Sequence, residues 1–70
     1  MYQVDARGLS CPEPVMLASE AMKAHPGEAI LVLVDEPHSR ANVEKFAVSQ
    51  GRKVTVKPVG QEFELLIEAN

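Results

Sequence analysis

Ala29-Ile30-Leu31-Val32-Leu33-Val34 is an unbroken apolar run in a chain of 70 residues. A run of this length without polar residues is typical of a central strand that is covered on both faces. Three other segments alternate apolar and polar residues as strands do, namely residues 2–6, 52–59 and 62–69. The last two read as a hairpin that turns at Gly60-Gln61. The sequence therefore predicts a sheet of four strands.

Two segments between these strands have the periodicity of amphipathic helices. The first spans residues 11–24 and is stopped by His25-Pro26-Gly27, and the second spans residues 37–50 with Gly51 at its C-terminal end. The order is βαβαββ, and right-handed crossovers place both helices on one face of the sheet. We predict a single domain over residues 1–70, an α+β two-layer sandwich whose four-stranded mixed sheet has the order 1-2-4-3.

The predicted two layers leave one face of the sheet without helices. Either Ile30, Val32 and Val34 or the alternate pair Leu31 and Leu33 must then point to the bare side, where Leu66 interrupts the polar set of the last strand. We expect a modest apolar patch there and take Leu31, Leu33 and Leu66 as candidate docking residues for a partner or a second copy. The alternative is that the side-chain stems of lysines and a glutamate fold over the patch.

The only cysteine, Cys11, lies in Gly8-Leu9-Ser10-Cys11-Pro12-Glu13-Pro14-Val15, where a strand gives way to a helix. Both prolines are tolerated in a first helical turn, which makes Cys11 the predicted N-cap, Pro12 the first helical residue and Pro14 the third. The helix dipole and the amides of Glu13 and Val15 favour the thiolate. Two features disfavour the thiolate: Pro12 and Pro14 have no N–H to donate, and Glu13 carries a negative charge close by. We therefore expect a modestly activated thiol. The alternative is a small buried hydrophobic residue.

Several residues are expected near this cysteine. Two parallel strands that each feed a helix bring both helix N-termini to one sheet edge, so residues 35–40 should lie beside Cys11. There His38 is a candidate base for the thiol, while Arg40 or Arg7 is a candidate partner for the sulfur anion. The alternative is a solvated first helical turn that Asp35 or Ser39 caps.

Met16 falls on the polar side of the first predicted helix, close to the cysteine turn. An exposed thioether beside a reactive sulfur is a candidate docking contact, because methionine adapts to several partners. The alternative is a single exposed apolar residue that needs no explanation.

The first third of the chain resembles a known family. Val4-Asp5-x-x-Gly8-Leu9-x-Cys11-Pro12-Glu13-Pro14-Val15-Met16 is similar to the N-terminal signature of the TusA/SirA/YedF family of small sulfur-carrier proteins. The resemblance extends along nearly the whole chain, with similar residues at Asp35, Pro37, Phe46 and Gly51. One departure is Asn42, where the family often has Asp. The resemblance implies a fold similar to the C-terminal domain of translation initiation factor 3.

Composition excludes several classes of function. Ten acidic residues against seven scattered basic ones give a net charge of −3, which argues against direct contact with nucleic acid. No stretch approaches the roughly 20 apolar residues of a membrane span, and no targeting segment is evident. One cysteine fits a reducing cytosol and cannot close an internal disulfide, and two separated histidines do not make a metal site with it. We therefore expect a cytoplasmic protein without cofactor or metal, as a monomer or weak homodimer.

The leading hypothesis is sulfur relay. Cys11 would accept a sulfane sulfur from a donor, hold it as a persulfide and pass it to an acceptor protein. The resemblance implies donors of the cysteine desulfurase or rhodanese type and uses such as tRNA thiolation, cofactor sulfur supply or sulfur oxidation. The competing hypothesis is a non-catalytic regulatory or protein-interaction module in which Cys-Pro-x-Pro is a rigid helix start. Direct RNA binding rests on fold analogy alone and is opposed by the acidic balance.

Overall fold

The computed structural model describes residues 1–10 and 12–69, and Cys11 and Asn70 lie outside the described residues. The elements follow one another in the predicted order βαβαββ. They are β1 (Tyr2–Asp5), α1 (Glu13–Ala24), β2 (Ile30–Val34), α2 (Pro37–Ser49), β3 (Val54–Val59) and β4 (Glu62–Ile67). Each begins or ends within two residues of its predicted bounds.

The four strands form one mixed sheet in the order β1-β2-β4-β3, as predicted. β1 is parallel to β2, and β4 is antiparallel to both β2 and β3. β2 is therefore an inner strand, with β1 on one side and β4 on the other. Because β1 and β2 run in the same direction, both helices begin at the same edge of the sheet, where these strands end.

The core lies between the sheet and the two helices. Ile30, Val32 and Val34 of β2 are fully buried and pack with apolar side chains from both helices and from β4. Burial of one such side chain contributes about 1.5–3 kcal/mol relative to exposure. The helix residues in this core are Ala18, Ala21, Met22, Val43 and Ala47.

The other face of β2 is not fully covered. Leu31 and Leu33 remain partly exposed, as does Leu66, which pairs with Leu31 in the register of β2 and β4. The prediction that the apolar run is covered on both faces is therefore wrong for its alternate residues. The reason is that both helices pack on the same face of the sheet. The opposite face is left to solvent, as is common where strands such as β2 and β4 pair antiparallel.

The ends of α2 are defined by side-chain and backbone caps. Glu36 is the N-cap, and its carboxylate accepts hydrogen bonds from the His38 backbone N–H at 3.2 Å and from Ser39 Oγ at 3.4 Å. The cap predicted at Asp35 or Ser39 is therefore wrong, because Glu36 occupies that position. At the other end Gly51 has φ of +79°, and its N–H donates to the Val48 carbonyl at 3.0 Å. Neither α1 nor α2 is long and apolar enough to cross a membrane, and they are the helices of the described residues.

Candidate functional site

The start of α1 is built from backbone hydrogen bonds around two prolines. The Glu13 N–H donates to the Ser10 carbonyl at 2.9 Å, and the Met16 N–H donates to the Pro12 carbonyl at 3.0 Å. Pro12 is the N-cap, with φ of −97° and ψ of 12°, and Pro14 falls in the first turn. The predicted N-cap at Cys11 is therefore wrong by one residue, because the turn closed by Ser10 and Glu13 precedes the helix. Cys11 itself lies outside the described residues.

This arrangement limits which amides can serve a nearby anion. Pro12 and Pro14 have no N–H, and the N–H of Glu13 is already bonded to Ser10. No free backbone donor therefore remains over residues 12–14, and the prediction that the Glu13 amide favours the thiolate is wrong. The helix dipole still favours negative charge at this end of α1. Pro14 is also fully buried, so it anchors the turn in the core as well as starting the helix.

The loop before the cysteine is tied to the loop after β2. The Gly8 N–H donates to Asp35 Oδ2 at 2.9 Å across 27 residues of sequence. Gly8 has φ of +78°, a left-handed conformation that favours glycine. The two loops therefore meet at the sheet edge, as the topology predicts, although the expected contact of residues 35–40 with Cys11 itself involves a residue outside the described ones.

Arg7 is bound to carboxylates from two strands. Its guanidinium contacts Asp5 through Nε at 2.9 Å and Nη2 at 2.8 Å, and Glu62 through Nη1 at 3.3 Å. The hydrogen bonds from Arg7 lower the pKa of Asp5 to about 2, and the two carboxylates raise the pKa of Arg7. Arg7 thus joins the end of β1 to the start of β4. Its charge is largely compensated there, and its role toward a sulfur anion stays a prediction.

His38 and Arg40 lie in the first turn of α2. The His38 side chain is exposed, whereas Arg40 is partly buried. Arg40 Nη1 contacts Glu44 at 2.8 Å, and its guanidinium carbon lies 5.8 Å from the centre of the Phe63 ring. Arg40 therefore packs along α2 and over β4. Over residues 1–10 and 12–69 neither side chain has a hydrogen bond or ion pair with the residues that flank Cys11, and their assistance to Cys11 stays a prediction.

Met16 is 55% exposed on α1 and lines a groove of about 180 Å³ beside the cysteine turn. The other lining residues are Leu9, Glu13, Leu17 and Glu20. We did not predict this groove from the sequence. The signal for it is the spacing of Glu13, Met16, Leu17 and Glu20 at i, i+3, i+4 and i+7, which places all four on one face of α1.

The predicted docking residues Leu31 and Leu66 lie on the opposite side of the molecule. They share a shallow apolar depression of about 250 Å³ on the bare sheet face with Met1, Thr55, Lys57 and Glu64. Both an exposed patch and the covering stems of charged residues are therefore present in part. Over residues 1–10 and 12–69, no group of three histidines and carboxylates is gathered that could hold a metal ion.

Comparison with known proteins gives matches that cover almost the whole chain. The family Sulfurtransferase TusA matches residues 2–69. The crystal structure of a SirA-like protein from Desulfitobacterium hafniense superposes with a TM-score of 0.88 at 33% sequence identity, and the match covers 96% of this chain and 95% of that one. The resemblance that the Cys-Pro-x-Pro signature indicated is thereby confirmed, and the chain belongs to the TusA sulfurtransferase family.

Proposed function

We propose that this protein is a sulfur carrier that relays sulfane sulfur as a persulfide on Cys11. Membership of the TusA family supports a sulfurtransferase role in general. The observation that carries the finer proposal is that Cys11 is the chain's only cysteine and directly precedes the N-cap of α1. A single nucleophile and a surface for docking are sufficient for such a carrier, because donor and acceptor proteins supply the remaining groups.

The transfer is a thiol exchange on a sulfur–sulfur bond. The Cys11 thiolate attacks the outer sulfur of a donor persulfide R–S–SH, a new sulfur–sulfur bond forms on Cys11, and the bond within the donor breaks. The donor leaves as the thiolate R–S⁻, so Cys11–S⁻ and R–S–SH give Cys11–S–SH and R–S⁻ without net oxidation or reduction. The same exchange in the opposite sense delivers the sulfur to an acceptor thiol.

The residues around Cys11 position it in this proposal. Pro12 and the buried Pro14 fix the start of α1, and the hydrogen bond from Gly8 to Asp35 fixes the loop that precedes the cysteine. Leu9 packs against the core from that loop. Glu13 opposes an extreme activation of the thiol, because its negative charge lies within a turn of it.

The partners follow from the chemistry. The donor is a protein that carries a persulfide, of the cysteine desulfurase or rhodanese type, and the acceptor is a protein with a reactive thiol. The proposed compartment is the cytoplasm, where reducing conditions keep the thiols of carrier and acceptor out of disulfides. tRNA thiolation, cofactor sulfur supply and sulfur oxidation are candidate uses, and with a net charge of −3 the carrier leaves any contact with RNA to its acceptor.

Intact-protein mass spectrometry tests the proposal. After incubation with a cysteine desulfurase and cysteine, the protein should gain about 32 Da, one sulfur atom, and lose it on reduction. Cys11→Ser should gain no mass while its circular dichroism spectrum stays that of the wild type. Absence of an adduct on the wild-type protein with desulfurase and with rhodanese donors would overturn the relay and favour a non-catalytic interaction module.

A further inference from the structure

We infer that the groove lined by Leu9, Glu13, Met16, Leu17 and Glu20, called here the α1 groove, docks partner proteins that present an apolar side chain flanked by lysine or arginine. The inference rests on the proposed function, because it assigns the partner chemistry of the same site. It concerns protein donors and acceptors and not small-molecule persulfides.

The position of the α1 groove makes contact with a partner unavoidable. Leu9 is two residues before Cys11 and Glu13 is two residues after it, and both line the groove. Transfer requires two sulfur atoms to reach bonding distance, so the protein surface around the partner's cysteine must cover the residues that flank Cys11. The groove therefore lies within the surface that any protein donor or acceptor must meet.

The shape and lining of the α1 groove define the apolar half of the recognition. Leu9 and Leu17 are partly buried against the core, and Met16 is 55% exposed beside them. The volume of about 180 Å³ accommodates a side chain and not a folded segment. A methionine wall adapts to side chains of different shape, which suits a carrier that meets a donor and an acceptor in turn.

The charges of the α1 groove define the polar half. Among the described residues Glu13 and Glu20 take part in no ion pair. The same holds for Asp35, Glu36, Glu64 and Glu68, and what sets Glu13 and Glu20 apart is that both line one apolar groove beside the cysteine turn. Lys23 is the nearest cation along α1, and it is not among the groove residues. The groove therefore presents two uncompensated carboxylates beside an apolar floor, which attracts a basic partner surface and repels an acidic one.

Peptide persulfides test this charge preference without knowledge of the natural partner. Three synthetic peptides carry a persulfidated cysteine beside a leucine and differ only in two flanking residues, which are both Arg, both Gln or both Glu. We expect Cys11 to be loaded about fivefold faster from the Arg peptide than from the Glu peptide at low ionic strength. The difference should disappear at high salt, because both charges are exposed.

Charge reversal in the α1 groove provides the matched comparison. Glu20→Lys lies two turns of helix beyond the cysteine, and it should remove or reverse the preference for the Arg peptide. Glu68→Lys makes the same change of charge after β4, and it should keep the wild-type preference. The ratio of the Arg and Glu rates is the readout, since any effect of a variant on the thiol itself cancels within that ratio.

The outcomes separate this inference from the proposed function. If a cysteine desulfurase loads Cys11 and no peptide does, the relay stands and docking of such peptides at the α1 groove is overturned; if neither loads it, the relay itself is overturned. If all three peptides load the protein at equal rates, or if Glu20→Lys keeps the wild-type ratio, the relay stands and docking at the α1 groove is overturned. A ratio that falls in Glu20→Lys, remains in Glu68→Lys and disappears at high salt supports the inference.

Discussion

Asp5 and Arg7 form an exposed ion pair whose contribution to stability depends on pH. The pKa of Asp5 is lowered from 3.8 to about 2 by hydrogen bonds from Arg7. A carboxyl group whose pKa is lower in the folded state stabilises the fold above its unfolded pKa. That stabilisation is lost as the pH falls through the folded pKa.

Arg7→Gln should therefore lower the free energy of unfolding above about pH 4 and have progressively less effect down to about pH 2. Urea denaturation of both proteins over this range measures the difference. Lys23→Gln removes a cation for which the described residues show no ion pair, and it serves as the control with little dependence on pH in this interval. A difference between wild type and Arg7→Gln that stays constant with pH would contradict the assignment.

Asp35 connects stability and the proposed activity through one hydrogen bond to Gly8. Asp35→Ala removes the acceptor, and we expect a loss of about 1 kcal/mol together with slower loading of Cys11, because the loop before the cysteine loses its attachment. Asp35→Asn keeps a side-chain oxygen and should restore much of both. The midpoint of urea denaturation and the rate of persulfide loading are the measurements. Equal loading by Asp35→Ala and wild type would show that the loop is held by other contacts.

At the scale of residues the sequence predicted positions better than contacts. The prolines at the start of α1 and the exposed side chain of Met16 follow from local patterns, because residue type and helix phase suffice to find them. The chemistry of Cys11 stays a prediction. The N-cap was misplaced by one residue, because the bond from Glu13 to Ser10 competes with a helical start and the pattern does not rank the two. Of the two carboxylates that bind Arg7, Asp5 is local, whereas Glu62 lies on β4, 55 residues away in sequence.

The end of α2 depends on the backbone conformation of one glycine. The N–H groups of Gly51 and Arg52 donate to the carbonyls of Val48 and Ala47, the pair of bonds of a Schellman cap, with Gly51 at φ of +79°. Gly51→Ala should destabilise the protein by about 1–2 kcal/mol, because a Cβ is unfavourable in that conformation. Within the described structure an added Cβ at Gly51 meets no atom within 4 Å, so the cost is conformational and not steric.

Gly27→Ala is the matched control for this prediction. An added Cβ there also meets no described atom within 4 Å, and Gly27 is not among the glycines with positive φ. The control should leave stability nearly unchanged or raise it by about 0.4–1 kcal/mol. Thermal or urea denaturation measures both variants. Equal stability of Gly51→Ala and Gly27→Ala would show that the left-handed conformation is not required.

The strands and helices were predictable because their sequence signals are local. The N-cap of α2 and the coverage of the sheet were not, because they depend on contacts between elements. Periods of two and of 3.6 residues identify the strands and helices directly. The N-cap of α2 was ambiguous among neighbouring polar residues, and the fold resolved it: Asp35 is used by Gly8, which leaves Glu36 to cap the helix. Whether Leu31 is covered depends on which face of the sheet the two helices pack against, and the sequence of β2 alone does not determine that face.

The proposed site and the buried side chain of Arg52 lie at opposite ends of the molecule. The proposed site is at the edge where α1 and α2 begin, and Arg52 is near the edge where they end. Arg52 is 6% exposed, and its guanidinium donates to the carbonyl of Glu68 at 3.2 Å and to that of Pro26 at 3.5 Å. It therefore joins the end of β4 to the loop after α1, in a small chain that has no internal disulfide to stabilise it.

Arg52→Met should lower the free energy of unfolding by about 1–3 kcal/mol, because two partly buried carbonyls lose a charged donor. Arg52→Lys should have an intermediate effect, since an ammonium group lacks the planar fork that reaches both carbonyls. Under conditions in which both variants are folded, loading of Cys11 should match the wild type, because the side-chain hydrogen bonds that the described residues give Arg52 are to Glu68 and Pro26, at the other end of the helices. Urea denaturation and the loading rate are measured on the same samples. Slower loading in folded Arg52→Met would mean that the two ends of the molecule are energetically coupled. The core layer between them, in which Ile30, Val32 and Val34 are fully buried, would then transmit the effect.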